Sequence, residues 1–345
     1  MNDVMKSAVF YGRHDMRVEE AGVPEIGNHD VLIKVMACGV CGTDVHIFSG
    51  DKGAADTTPP VILGHEFSGI VERTGAEVTG VKAGDRVCID PNRYCGNCYY
   101  CREGIAHYCE HMIGYGTTVN GGFSQYCKVD EKQVYLLGDH TTFEQGAMAE
   151  PVACCLHGID MCGIGPGSNV AVIGGGMIGL IMLQLARLEG AAKIVLIEPV
   201  LSKQEVAKKL GADIVINPVT QDVKEVLKAN NIKRLHTVIE CVGLPKTIEQ
   251  AIDIAGNKSV VMMFGLTKPD EEIKVRPFEI FQKEIELKAS FINPYTHTRA
   301  LALIDSGRLD VKSMIHDVCG LNYLPEILSK PELRAKGKYV INPWL

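Results

Sequence analysis

The stretch that decides the fold is Val170-Ala171-Val172-Ile173-Gly174-Gly175-Gly176-Met177-Ile178-Gly179. Its four leading apolar residues form a buried-type strand, and Leu180 to Leu188 continues with helical spacing, so the glycines occupy a strand-to-helix turn. The pattern Gly-x-Gly-x-x-Gly gains meaning from that context. Gly174 makes the turn, Gly176 lets the backbone approach a pyrophosphate, and Gly179 lets helix and strand pack closely. The helix N-terminus then faces phosphate charge. An acidic residue is expected about 20 positions further on, and Glu198 ends the next strand, Lys193-Ile194-Val195-Leu196-Ile197-Glu198. Its carboxylate suits the hydroxyls of an adenine ribose and repels a 2′-phosphate, which favours NAD over NADP.

Working outward, strand and helix go on alternating. A helix runs to Leu210-Gly211, then come the strand Ile214-Val215-Ile216, another helix, Thr237-Val238-Ile239-Glu240 and Val260-Val261-Met262-Met263-Phe264. Such alternation predicts a doubly wound parallel sheet with helices on both faces. Upstream of Glu150-Pro151 the texture differs. Val31 to Ala37 and Gly69 to Arg73 read as short strands, and Val81 to Val87 holds a turn between apolar runs, which predicts a small, mostly antiparallel β-rich lobe. From about Ser290 the pattern loosens, with a helix through Arg299 to Ser306 and a last strand near Tyr339-Val340-Ile341. The expected organisation is therefore an α/β chain of two domains. Residues 1–154, completed by 290–345, form the first, and 155–289 the nucleotide-binding one.

Composition bounds the function. The chain has 345 residues, 46% apolar and 22% charged, with a formal net charge of -7. Two soluble domains fit that length, and an acidic balance disfavours a nucleic-acid partner. No apolar run approaches the roughly 20 residues of a membrane helix. The start, Met-Asn-Asp-Val-Met-Lys-Ser, lacks the basic and apolar regions of a secretory signal. Thirteen cysteines without export argue for a reducing cytoplasm rather than a disulfide framework.

Four of those thiols, Cys95, Cys98, Cys101 and Cys109, share one polar loop. Four sulfurs at about 2.3 Å complete a tetrahedral Zn²⁺, giving a closed site that folds a lobe but admits no substrate. A second set is more dispersed. Cys41 lies in Cys38-Gly39-Val40-Cys41-Gly42-Thr43-Asp44-Val45-His46, and His65 and Glu66 follow Gly64. Catalytic zinc takes three protein ligands and keeps one position open. Cys41, His65 and a carboxylate supply that set, with Glu66 and Glu150 both qualifying. Thr43 and His46 add a hydroxyl and an imidazole able to pass a proton to water. Cys38, Cys88, Cys127, Cys154, Cys155, Cys162, Cys241 and Cys319 read as small buried apolar side chains.

Taken together these residues resemble the zinc-dependent medium-chain alcohol dehydrogenases from end to end. The ligand segment, Gly-His-Glu, the four-cysteine lobe, Gly121-Gly122-Phe123-Ser124-Gln125-Tyr126 and the nucleotide loop occur in the family's order. The resemblance implies a GroES-like catalytic domain, a Rossmann domain, a homodimer or homotetramer, and two zinc ions per chain, one catalytic and one structural. It places Cys41, His65 and Glu66 as catalytic ligands and Glu150 as alternate ligand or holder of the zinc-bound water. Thr43 and His46 take the proton-relay positions. Ile178, Glu198, Lys203, Leu266 and Phe291 fall where the family contacts its nicotinamide cofactor.

Glu150-Pro151-Val152 followed by Leu156-His157 is similar to the sorbitol and polyol dehydrogenase branch, whereas Cys-Gly-Thr-Asp-Val-His-Ile is equally similar to threonine 3-dehydrogenases. Sorbitol dehydrogenases carry a tyrosine where this chain has Ile47, and their substrate-binding arginine is replaced within Ser290-Phe291-Ile292-Asn293. The implied reaction is NAD-linked oxidation of a secondary alcohol, a polyol first and an amino alcohol of the threonine type as the alternative.

Overall fold

The computed structural model describes residues 4–51 and 56–345. The chain divides into two compact units, Met1–Ala153 with Asn293–Leu345, and Cys154–Ile292.

The first unit opens with ten strands: β1 (Val4–Gly12), β2 (Asp15–Gly22), β3 (Asp30–Gly39), β4 (Val61–Ile62), β5 (Glu66–Thr74), β6 (Arg86–Ile89), β7 (Asn92–Arg93), β8 (Ile113–Gly114), β9 (Tyr126–Asp130) and β10 (Val134–Leu136). Strand β3 shows why the unit closes on itself. Val31, Leu32, Ile33 and Val35 are all fully buried, as in a strand covered on both faces, and β3 pairs with both β5 and β9. A register shift between Val35 and Ala37 brings Gly39 opposite Glu66. Phe67, Leu63 and Phe123 fill the core beside it. Helix α1 (Gly42–Phe48) directly follows β3 and buries Ile47 and Phe48 in the same core.

The second unit is a six-stranded, all-parallel sheet. Its strands are β11 (Asn169–Ile173), β12 (Lys193–Ile197), β13 (Ile214–Ile216), β14 (Thr237–Glu240), β15 (Val260–Met263) and β16 (Glu286–Ala289). Their spatial order is β13-β12-β11-β14-β15-β16. The chain starts at β11, winds outward one way and then the other, so the strand order reverses between β11 and β14. In open parallel sheets nucleotides bind at the carboxyl edge of that reversal. Val170 to Ile173, Ile194 to Ile197 and Val238-Ile239 in β11, β12 and β14 are apolar and buried, as a sheet covered on both faces requires. Strand β16 is absent from the sequence reading. Glu286-Leu287-Lys288-Ala289 alternates charge, lacks β-branched residues and is mostly exposed, which suits the edge it occupies.

The tail returns to the first unit with β17 (Ile315–Cys319) and β18 (Lys338–Ile341). Strand β18 pairs antiparallel with β3, Val340 opposite Gly39. The seven-stranded sheet thus reads β10-β6-β5-β3-β18-β17, with β9 also on β3. A buried polar network fixes the return. Asn92 donates to Asn293 at 2.6 Å, and Asn293 donates to Asp90 at 3.1 Å. Burial raises the Asp90 carboxyl to about 6 although backbone and amide donors oppose it. The Ser290-Phe291-Ile292-Asn293 segment therefore ends on a structural amide. Among the described residues no helix is long and apolar enough to cross a membrane.

Candidate active site

The ligand atoms of Cys41, His65 and Glu66 lie within 4.8 Å of one another. Three elements deliver them. Cys41 stands at the turn from β3 into α1, His65 just before β5, and Glu66 at the first position of β5. Asp44, in the first turn of α1, organises the group. Its Oδ2 accepts from the Cys41 amide at 2.8 Å, and its Oδ1 faces His65 Nδ1 at 3.4 Å. A carboxylate behind one imidazole nitrogen presents the other as a metal ligand.

The electrostatics suit a cation. Burial works against charge on His65, yet the Asp44 carboxylate and the Cys41 sulfur outweigh it and hold the imidazole well above its usual value. Burial and the Glu66 carboxylate push the Cys41 thiol up. Glu66 Oε1, Asp44 Oδ1 and His65 Nδ1 are buried without a hydrogen-bond partner. Thiol, imidazole and carboxylate groups crowded together, with polar atoms of both His65 and Glu66 orphaned, match the thiolate, nitrogen and carboxylate chemistry that zinc selects. Thr43 and His46 occupy α1 three positions apart, hence on one face, and both are half-buried. His46 Nδ1 lies 3.7 Å from Asp51 Oδ2. Glu150 is 7% exposed in the first turn of α2 (Ala149–Asp160) and stands outside the 4.8 Å triad. Ile47, where sorbitol dehydrogenases carry tyrosine, packs into the core.

The four-cysteine loop forms a second cluster whose sulfurs also lie within 4.8 Å of one another. Backbone amides converge on it. Cys95 N–H donates to the Cys109 sulfur at 3.3 Å, and Cys98 N–H to that of Cys95 at 3.4 Å. Such donors favour thiolate. Amides of Cys101 and Glu110 lower Cys98 to about 6, while burial and neighbouring sulfurs push Cys101 up to about 12. A metal cation held by the four cysteines would relieve that crowding of sulfurs. Among the described residues no disulfide forms. Of the remaining eight cysteines, Cys154 and Cys241 are half-buried and the rest buried.

In the second unit the glycine loop follows β11 and opens α3 (Met177–Leu188). Gly174 adopts φ +100, and a Cβ there would meet a Val242 methyl at 2.8 Å. A Cβ on Gly179 would collide with the Gly174 carbonyl oxygen, whereas one on Gly176 would meet nothing within 4 Å. Gly176, the N-cap of α3, faces open space. Glu198 is buried, and its two oxygens accept from Gly175 N–H at 2.7 Å and Val200 N–H at 2.8 Å. It thus pins the loop as well as offering a carboxylate. Lys203 lies in the first turn of α4 (Leu201–Lys209), half-buried. Ile178 and Phe291 are half-buried, and Leu266, after β15, is 52% exposed.

Two side chains at these sites were not singled out from sequence. Asp44 could have been found, since it lies three residues past Cys41 in a first-turn position. Lys338 could not, because only the pairing of β18 with β3 brings it to Glu66.

The alcohol dehydrogenase GroES-like domain family matches residues 27–139, and the zinc-binding dehydrogenase family matches residues 177–306. D-arabinitol dehydrogenase 1 of Uromyces fabae is 33% identical over 98% of this chain and 97% of its own. L-threonine 3-dehydrogenase of Pyrococcus abyssi is 32% identical over 98% and 97%. Among solved structures, a protein described as a zinc-binding dehydrogenase from Sinorhizobium meliloti 1021, bound to NADP, superposes with a TM-score of 0.94 at 36% identity. That match covers 99% of both chains. With two metal-competent clusters, a glycine loop at a strand-order reversal and near-complete alignment to such relatives, the chain belongs to the zinc-dependent medium-chain alcohol dehydrogenase family, on its polyol dehydrogenase-like branch.

Proposed function

We propose that the protein oxidises a small polyol or related secondary alcohol with NAD, using two zinc ions per chain, one at Cys41, His65 and Glu66 and one at the four cysteines. The observation that carries this reading is the triad of half-buried Cys41 with buried His65 and Glu66 and an orphaned carboxylate oxygen, in a chain 33% identical to an arabinitol dehydrogenase. Zinc held there lowers the pKa of a coordinated alcohol so that hydride loss becomes feasible near neutral pH. The protein's own residues do the rest. Asp44 fixes the ring of His65. Thr43 accepts the alcohol proton on its hydroxyl while donating its own to His46, which releases one to water. Glu150 serves as alternate ligand or holds the water that substrate displaces.

On the nucleotide side, Gly174, Gly176 and Gly179 receive the pyrophosphate, and Ile178, Lys203, Leu266 and Phe291 contact the cofactor. Glu198 accepts from the adenine ribose. Its negative charge favours NAD, although a relative by structure binds NADP. A cytoplasmic homodimer or homotetramer completes the reading.

The test is an NAD-reduction screen over xylitol, arabitol, sorbitol, vicinal diols, sugar phosphates and L-threonine. The reading expects an acyclic polyol to give the largest kcat/KM. The second reading, an amino-alcohol dehydrogenase, draws on the Pyrococcus abyssi relative and on the ligand segment around Cys41. L-threonine outpacing every polyol would establish it and overturn the first.

A further inference from the structure

Lys338 opens β18 with its side chain only 2% exposed, and it meets Glu66, whose side chain is 0% exposed. Nζ donates to Glu66 Oε2, while Oε1 of the same carboxylate is buried without a hydrogen-bond partner. The pairing of strands makes this meeting obligatory. Gly39 on β3 lies opposite Glu66 on one side and Val340 on the other, so the ion pair straddles the central strand. Gly39 leaves room for it, since a Cβ there would run into Glu66 Oε2 and Lys338 Cε. An ammonium taken from water into a sheet interior carries a large desolvation cost, and a hydrophobic side chain would fill the place more cheaply. This lysine instead lies against one of three residues that face a common point.

We propose that Lys338 is a positioning residue for the metal centre, holding Glu66 to a single free carboxylate oxygen and so limiting its grip on the ion. This role rests on the reading of Cys41, His65 and Glu66 as a metal site. The ammonium occupies Oε2 and offsets the Glu66 charge, leaving Oε1 to face the ion alone. A carboxylate shared in this way binds weakly enough to yield when water or alcohol enters. Without the ammonium, both oxygens are released to the metal and the pocket gains one unit of negative charge.

The experiment follows zinc release to a chromophoric chelator in the full-length protein. The phase that Cys41→Ser removes is assigned to the open site. K338M keeps the length and apolar stem without the charge, and its release is expected to be roughly tenfold slower, because both Glu66 oxygens are then free to grip the ion. K338R should stay within about twofold of the parent, since it preserves the charge. In an E66Q background the K338M effect should vanish, because the residue acts through Glu66. The cobalt-substituted K338M protein should show a changed visible band, which K338R does not. Release unchanged or accelerated in K338M, or slowed by the same factor in both backgrounds, overturns the role. Lys338→Gln carries the same expectation where K338M does not fold. Loss of the Cys41-dependent phase from the parent protein itself would overturn the metal site and, with it, this role.

Discussion

Asp44 illustrates how much of the centre depends on single side chains. It is fully buried, accepts from the Cys41 amide through Oδ2, and sets Oδ1 3.4 Å from the His65 ring. Asp44→Asn keeps the size and the amide contact but removes the charge behind the imidazole. Zinc affinity at the open site should fall roughly 10–100-fold, as for other groups that orient ligands. Titration against a competing chelator reads this, and an unchanged affinity would show that His65 is oriented by other means. In the proposed reading Glu198 plays the corresponding part in cofactor choice. Glu198→Gln keeps one acceptor for the backbone but loses the charge, so kcat/KM for NAD should fall roughly tenfold and that for NADP much less. Equal losses with both cofactors would mean that the carboxylate only braces the loop.

At the scale of the element, the glycine loop separates packing from binding. Gly179→Ala forces a methyl into the Gly174 carbonyl and should cost about 1–3 kcal/mol of stability. Gly176→Ala points into open space, so thermal stability should barely change while KM for the nucleotide rises. Melting curves and cofactor titrations on the two variants check the contrast, and the reverse assignment would contradict it.

The same elements show what sequence could reveal. The glycine loop and the four-cysteine loop were legible because each packs its chemistry into a short stretch, where spacing alone constrains geometry. Helix α2 went unread because Glu150-Pro151 resembles a break, yet proline in a first helical turn sacrifices no hydrogen bond. Strand β16 went unread because edge strands need not be apolar. Lys338 was invisible for a different reason: strand register, shifted by a bulge in β3, decides its neighbour.

For the whole molecule, acid sensitivity should trace in part to His297. This residue is fully buried, with Nε2 at 3.5 Å from the Cys88 sulfur and its ring 4.8 Å from that of Tyr135. Burial lowers it to about 3. The folded state therefore binds this proton more weakly than the unfolded chain does. Its contribution is complete above the ordinary value near 6.5 and is lost as pH falls toward 3, at about 1.4 kcal/mol per unit. By pH 5 the loss reaches about 2 kcal/mol on that slope. Asp90, raised by burial, works in the opposite direction below 6, so the difference between parent and variant isolates the histidine. His297→Gln should lose less stability than the parent between pH 7 and pH 5 in parallel denaturation curves. Parallel losses in both proteins would remove His297 from the account.

The most direct test of the central claim is the metal content of purified Cys41→Ser, measured beside its NAD-reducing activity. The account predicts two zinc ions per chain in the parent and one in the variant, with alcohol-dependent NADH formation abolished and the melting temperature nearly unchanged. A variant that still holds two ions, or that turns over alcohol at the parent rate, would contradict it.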